Sequence, residues 1–264
     1  MDVAAPTLDP GPSREAVAGG PIEARWLGRI GYRDAWALQH DLVERRIAGE
    51  IPDQLLLLEH PAVLTLGRQA EESHVRASAA DLAARGIELI RVERGGEVTY
   101  HGPGQLVAYP ILALSRRGLL VRPLVRALEA AMAETCATFG VEAGRREGHP
   151  GCWCDEGGAS PRKIGALGIR VERGVSYHGI ALNVDPDLVD FDLIDPCGMP
   201  GVESTSIARE LRPGRAAGYA PTARADGTLS PEPSVERAAR IFTRALADHL
   251  GAELRGFAAH ARDS

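Results

Sequence analysis

The stretch from Arg162 to Val184 constrains the fold most. Residues 164–171 and 175–184 are two strand-like apolar runs joined by Arg173-Gly174, a turn signal that predicts a β-hairpin. So short a connection can only join antiparallel strands. Glycines at 165, 168 and 179 thin both strands, which marks a close approach by a ligand or another backbone. A tight crossing of sheet segments would explain those glycines equally well. It would not explain Lys163 at the start of the hairpin.

Other segments add strands and helices in mixed order. Residues 22–27 read as a strand. Residues 31–49 place Trp36, Leu38, Leu42, Val43 and Ile47 among charges, the pattern of an amphipathic helix. Residues 54–58 and 62–66 read as strands, 77–85 as a short helix started by Ser78 and stopped by Gly86, and 87–92 as a strand. A further strand is predicted over 105–112 and a long helix over 121–139, ended by Gly140. Residues 144–162 are rich in Gly, Pro and Arg and read as a loop. Ser234 caps a last helix with Ala238, Ile241, Phe242, Leu246 and Leu250 on one face.

The sum predicts an α/β (α+β) fold, a single domain with a mixed or antiparallel sheet flanked by helices. Neighbouring strand runs are expected to form hairpins. Residues 1–20 read as a disordered leader, 21–211 as the catalytic domain, 212–233 as a linker or long loop, and 234–264 as a C-terminal helix and tail packed on that domain.

The bulk numbers narrow the function class. The chain has 264 residues, 44% hydrophobic and 25% charged, with a net charge of −6, which disfavours a general attraction to nucleic acid or to an anionic membrane. No apolar run approaches the ~20 residues that span a bilayer. A cytoplasmic enzyme with reduced thiols is expected, so each of Cys136, Cys152, Cys154 and Cys197 needs its own explanation. The cations are lopsided: a single lysine, Lys163, against 29 arginines. Arginine can replace a solvated lysine but not one that must change protonation state, because guanidinium stays charged.

Chemistry concentrates in three places. Residues 94–105, RGGEVTYHGPGQ, hold four glycines that let backbone amides approach a ligand. Tyr100 and His101 add an aromatic wall and an imidazole, and Gln105 can orient a neighbour. The segment fits neither a Walker nor a Rossmann fingerprint. The second place is the hairpin with Lys163, where Ala166 and Ala181 leave room for a groove. The third is DPCGMPGVESTS, residues 195–206, where Cys197 sits between Pro196 and Gly198 on a sharp, open turn. A free thiol is only a few per cent thiolate at neutral pH, and a nearby ammonium raises that fraction. Candidate bases are Lys163, His101 and His178. Cys152, Cys154 and His149 fall short of a tetrahedral metal set.

In this order and spacing the three segments resemble the octanoyltransferases of lipoate assembly. The resemblance rests on Arg94-Gly95-Gly96, Thr99-Tyr100-His101, Gln105 and Tyr109. It continues through Lys163-Ile164, Gly168-Ile169-Arg170 and the run from His178 to Val184, then Pro196-Cys197-Gly198 and Thr205-Ser206. It covers roughly residues 22–210. Cys152 and Cys154, within and directly after the Gly-x-Trp at 151–153, depart from it.

The resemblance implies the fold of biotin and lipoate protein ligases and an octanoyl-acyl carrier protein donor. The implied acceptors are lysines on lipoyl domains of 2-oxoacid dehydrogenase E2 subunits and on the glycine-cleavage H protein. No cofactor, nucleic acid or membrane is implied. Cys197 matches the acyl-thioester nucleophile and Lys163 the residue that lowers its pKa. The implied substrate-binding residues are Arg94, Gly95, Gly96, Glu97, Val98, Thr99, Tyr100 and His101, then Ala166, Leu167 and Gly168, then Gly179, Ile180 and Ala181.

Three other readings compete. An ATP-dependent lipoate or biotin ligase of the same fold would need no nucleophilic cysteine. A non-catalytic carrier-binding module would leave Cys197 unreactive. A thiol hydrolase would release free octanoate to water, and the Asn or Asp partner it would need for a Cys-His pair is not evident here.

Overall fold

The computed structural model describes residues 20–195, 201–212 and 233–257. The strands are β1 Ile22–Arg29, β2 Asp53–Glu59, β3 Val63–Leu66, β4 Glu88–Arg91, β5 Val98–His101 and β6 Gln105–Ile111. They continue with β7 Gly144–Arg146, β8 His149–Cys154, β9 Arg162–Glu172, β10 Val175–Asn183, β11 Glu203–Ser204 and β12 Leu254–Gly256. The α-helices are α1 Tyr32–Ala48, α2 Ala79–Ala84, α3 Val121–Thr138, α4 Ile207–Glu210 and α5 Val235–His249.

Among the described residues, nine strands form a mixed sheet in the order β12-β1-β2-β6-β10-β9-β8-β7, with β11 paired to β9. Three more form a small sheet, β4-β3-β5. The β9–β10 hairpin turns at Arg173 and Gly174, both with positive φ, 44° and 83°. β1 and β2 run parallel, joined by α1 as a crossover, so they are not the hairpin expected of neighbouring runs. Nor do β2 and β3 pair, since they belong to different sheets.

β2 shows why the large sheet is covered on both sides. Its residues Leu55 and Leu57 join a core with α3 and α5, whereas Leu56 and Leu58 join a core with α1. Four consecutive leucines suit a strand whose alternating side chains are apolar on both faces. α1 lies on one face and α3 and α5 on the other. The Ser78 hydroxyl accepts from Asp81 N–H while the Asp81 carboxylate accepts from Ser78 N–H, a full capping box on α2. Ser234 caps α5 by accepting from Arg237 N–H.

Two local expectations are corrected. Residues 144–162 are not a plain loop: they contain β7 and β8, the sheet edge beside β9. Their glycines and prolines hid a short two-stranded ribbon. Cys152 and Cys154 occur at alternate positions on β8, both buried in the core under α3 and α5. The glycine-rich 94–105 segment likewise contains β5, paired antiparallel to β3. Among the described residues no helix is long and apolar enough to cross a membrane.

Candidate active site

A cavity of about 400 Å³ opens between the small sheet and the β9–β10 hairpin. One wall is the loop leading from β4 into β5. It is held by Arg94, whose guanidinium donates to Thr65 O at 2.8 Å, to Thr65 Oγ1 at 2.9 Å and to Gly95 O at 3.1 Å. Gly95 N–H donates to Ile169 O at 3.1 Å, tying the loop to β9. This contact needs glycine on the strand side, because a Cβ on Gly168 would lie 2.6 Å from Gly95 O. The floor is β9 and β10, with Ala166 opposite Ala181, Leu167 opposite Ile180, and Gly168 opposite Gly179.

The structure brings the predicted binding residues together, with one exception. Residues 94–99, His101, 166–168 and 179–181 all line the cavity. Tyr100 does not, contrary to the expected aromatic wall. Its hydroxyl donates to Asp190 Oδ2 at 2.7 Å and its ring packs edge-on against Phe191. Strand alternation explains this, because Thr99 and His101 on either side face the cavity.

Lys163 lies on β9 at one end of the groove, only 6% exposed. Its Nζ donates to Pro150 O at 3.1 Å and sits 5.0 Å from the centre of the Trp153 ring. The register between β8 and β9 slips by one residue beside it, between Cys152 and Trp153. Such bulges commonly re-aim a side chain. On its other side Lys163 pairs with Ser204 of β11, and Thr205 N–H donates to Lys163 O at 2.9 Å. Cys197 lies outside the described residues, in the segment between Asp195 and Gly201.

His178 marks the other end. It pairs with Ile169, six residues along β9 from Lys163, or roughly 20 Å at ~3.3 Å per strand residue. Around it lies an aromatic floor. The Tyr32 ring stacks on His101, and the His60 ring meets His101 edge-on. His60 Nε2 is 2.9 Å from the Tyr109 hydroxyl.

Burial drives these imidazoles towards the neutral form: His60 falls to about 4, and His178 is also lowered, although Glu93 opposes that shift. His101 is pushed well below its ordinary value by burial and by His60, against its hydrogen bond to Gln105. That bond, 2.8 Å from His101 Nδ1 to Gln105 Oε1, is the orienting role expected of Gln105.

His178 has φ 53°, a region that costs a non-glycine residue strain. Two contacts hold it there: its N–H donates to Gln39 Oε1 at 2.8 Å, and its Nε2 lies 3.3 Å from Glu93 Oε1. Burial raises the Glu93 carboxyl, but hydrogen bonds from His178 and Trp36 outweigh it and hold the group down at about 2.

Sequence reasoning passed over Tyr32, His60, Gln69 and Glu93. The one available signal was the carboxylate directly before Arg94-Gly95-Gly96. The distance between His178 and Lys163 separates two of the three candidate bases. Lys163 alone stands next to the strand that follows Cys197 in sequence.

The family model described as Lipoyl protein ligase A/B catalytic domain matches residues 31–217. The octanoyltransferase of Chloroflexus aurantiacus is 49% identical over 191 residues, 72% of this chain and 84% of that protein. The octanoyltransferase of Acidobacterium capsulatum is 51% identical over 193 residues, 70% of this chain and 78% of that protein. The chain belongs to the octanoyltransferase family. Among solved structures, a bi-partite lipoate protein ligase from Thermoplasma acidophilum superposes with a TM-score of 0.60 at 13% identity, covering 89% of this chain and 85% of that one. At that identity the likeness shows a shared fold. The mixed sheet flanked by helices is thus the lipoate protein ligase architecture that the motifs implied.

Proposed function

We propose that this acyltransferase moves an octanoyl group from octanoyl-acyl carrier protein to a lysine of an apo lipoyl domain or of the glycine-cleavage H protein. Two transfers accomplish this. The Cys197 thiolate attacks the donor thioester carbonyl, a new C–S bond forms, and the carrier's thiolate leaves and takes a proton. The acceptor's neutral amine then attacks the enzyme thioester. An amide forms, Cys197 sulfur leaves, and the proton lost by the amine returns to the thiol. An amide lies below a thioester in free energy, so no nucleotide is consumed.

One observation carries the reading. The single lysine of the chain is buried at the end of an apolar-floored groove, hydrogen-bonded to a backbone carbonyl and paired with the strand that follows Cys197. As a cation it stabilises the thiolate; as an amine it takes a proton. The glycine-rich loop from Arg94 supplies backbone amides for a developing oxyanion. The experiment is an acceptor-modification assay with octanoyl-acyl carrier protein, apo lipoyl domain and no ATP. Octanoylated acceptor supports the reading. Modification only with ATP and free octanoate would assign the chain to adenylate-forming ligation instead.

A further inference from the structure

We propose that Glu129 is a positioning residue for Lys163, acting through the single peptide unit that joins Pro150 to Gly151. Lys163 Nζ donates to Pro150 O at 3.1 Å, and Gly151 N–H donates to Glu129 Oε1 at 3.0 Å. That carbonyl and that N–H belong to one planar amide, and in a trans peptide they point in opposite directions. The carboxylate of α3 therefore grips one end of the unit and the ammonium of β9 the other. The unit cannot turn without losing both bonds. An anion on the N–H also polarises the amide and makes its carbonyl a better acceptor, as hydrogen bonds in a chain reinforce each other.

Two further observations show a built arrangement. Glu129 is buried, 5% exposed, on the face of α3 that carries Leu128 and Met132 into the core. A carboxylate there is costly unless it is hydrogen-bonded. Gly151 has φ 128°, open only to glycine, and a Cβ on it would lie 2.4 Å from Gly165 O and 3.0 Å from Lys163 Cε. The peptide is thus set in an orientation that an ordinary strand residue could not adopt. Trp153 completes the seat, its indole N–H fixed on His149 O at 3.0 Å. Glu129 does not line the cavity, so it touches no substrate there.

This inference rests on the proposed role of Lys163, but it can be read separately. Lys163 is the sole lysine, so protein labelled with ¹⁵N,¹³C-lysine gives one side-chain signal. In Glu129→Ala that signal moves and broadens, and acyl transfer falls about tenfold in kcat with donor KM unchanged, the worth of one hydrogen bond in the transition state. Glu129→Gln keeps an acceptor for Gly151 N–H, so its signal moves less and most of the rate returns. If Glu129→Ala does not fold, Glu129→Leu, which fills the space without an acceptor oxygen, takes its place. A Lys163 signal coincident with wild type in folded Glu129→Ala or Glu129→Leu, or a loss confined to KM, overturns the proposal. A signal that follows Glu129 in a protein that never acylates Cys197 would uphold the coupling and overturn the acyl-enzyme reading.

Discussion

Ser204 sits in parallel register with Lys163, so the lysine's strand is flanked by Trp153 on one side and by β11 on the other. The chain emerging from the Cys197 segment is therefore anchored at Lys163. This anchoring makes the lysine the side chain whose replacement is most informative.

Lys163→Arg should lower octanoyl transfer by at least about a hundredfold although the charge is kept. Guanidinium is planar, larger and unable to lose its proton, and the seat between the Trp153 ring and Pro150 O fits a compact ammonium. Steady-state assays of the acceptor check this. Near-wild-type turnover would mean that a fixed cation is sufficient.

Much of this site is legible in the sequence because its determinants are local. Arg173-Gly174 sets the hairpin, Ser78 and Ser234 cap helices, Gly168 marks the close approach of the neighbouring loop, and Gly165 the close packing of Met132 from α3. What escapes is set by tertiary contact. β8 carries glycine and proline that signal a loop, yet it is a strand because β9 and α3 supply partners for it. Tyr100 turns from the cavity because β5 pairs with β3 and fixes the alternation. Nothing near Glu129 in sequence announces Gly151 as its partner, 22 residues away.

Gly168→Ala tests the loop-to-strand contact. Its new Cβ would meet Gly95 O at 2.6 Å, backbone that has to move. The expected cost is about 1–3 kcal/mol of stability, with a raised KM for the acyl donor as the wall of the groove lifts. Thermal denaturation and initial rates measure both.

The buried imidazoles predict an acid-sensitive fold. His60, fully buried, has its pKa lowered from 6.5 to about 4, so between those values the unfolded chain binds a proton that the native protein refuses. Stability from this group is complete above pH 6.5 and is lost as pH falls towards 4, by about 3 kcal/mol from His60 alone. His101 and His178 act in the same direction. Urea midpoints at pH 7, 5.5 and 4.5 should fall in that order, and less steeply in His60→Gln. A flat profile would contradict it.

Asp53→Ala should be among the most destabilising single changes. The carboxylate is fully buried, accepts from Arg46 Nε at 2.6 Å and from Ala113 N–H at 2.9 Å, and also pairs with Arg117. Its removal strands two buried guanidinium groups, at a cost of about 3–5 kcal/mol. Chemical denaturation checks the loss.

The Cys197 acyl-enzyme is tested by the intact mass of the protein after mixing with octanoyl-acyl carrier protein without ATP, for wild type and Cys197→Ser. Wild type should gain one octanoyl group, released by hydroxylamine, and the variant should carry no hydroxylamine-labile thioester. An unmodified wild type that nonetheless octanoylates the lipoyl domain, or an equally labile adduct on Cys197→Ser, would contradict it.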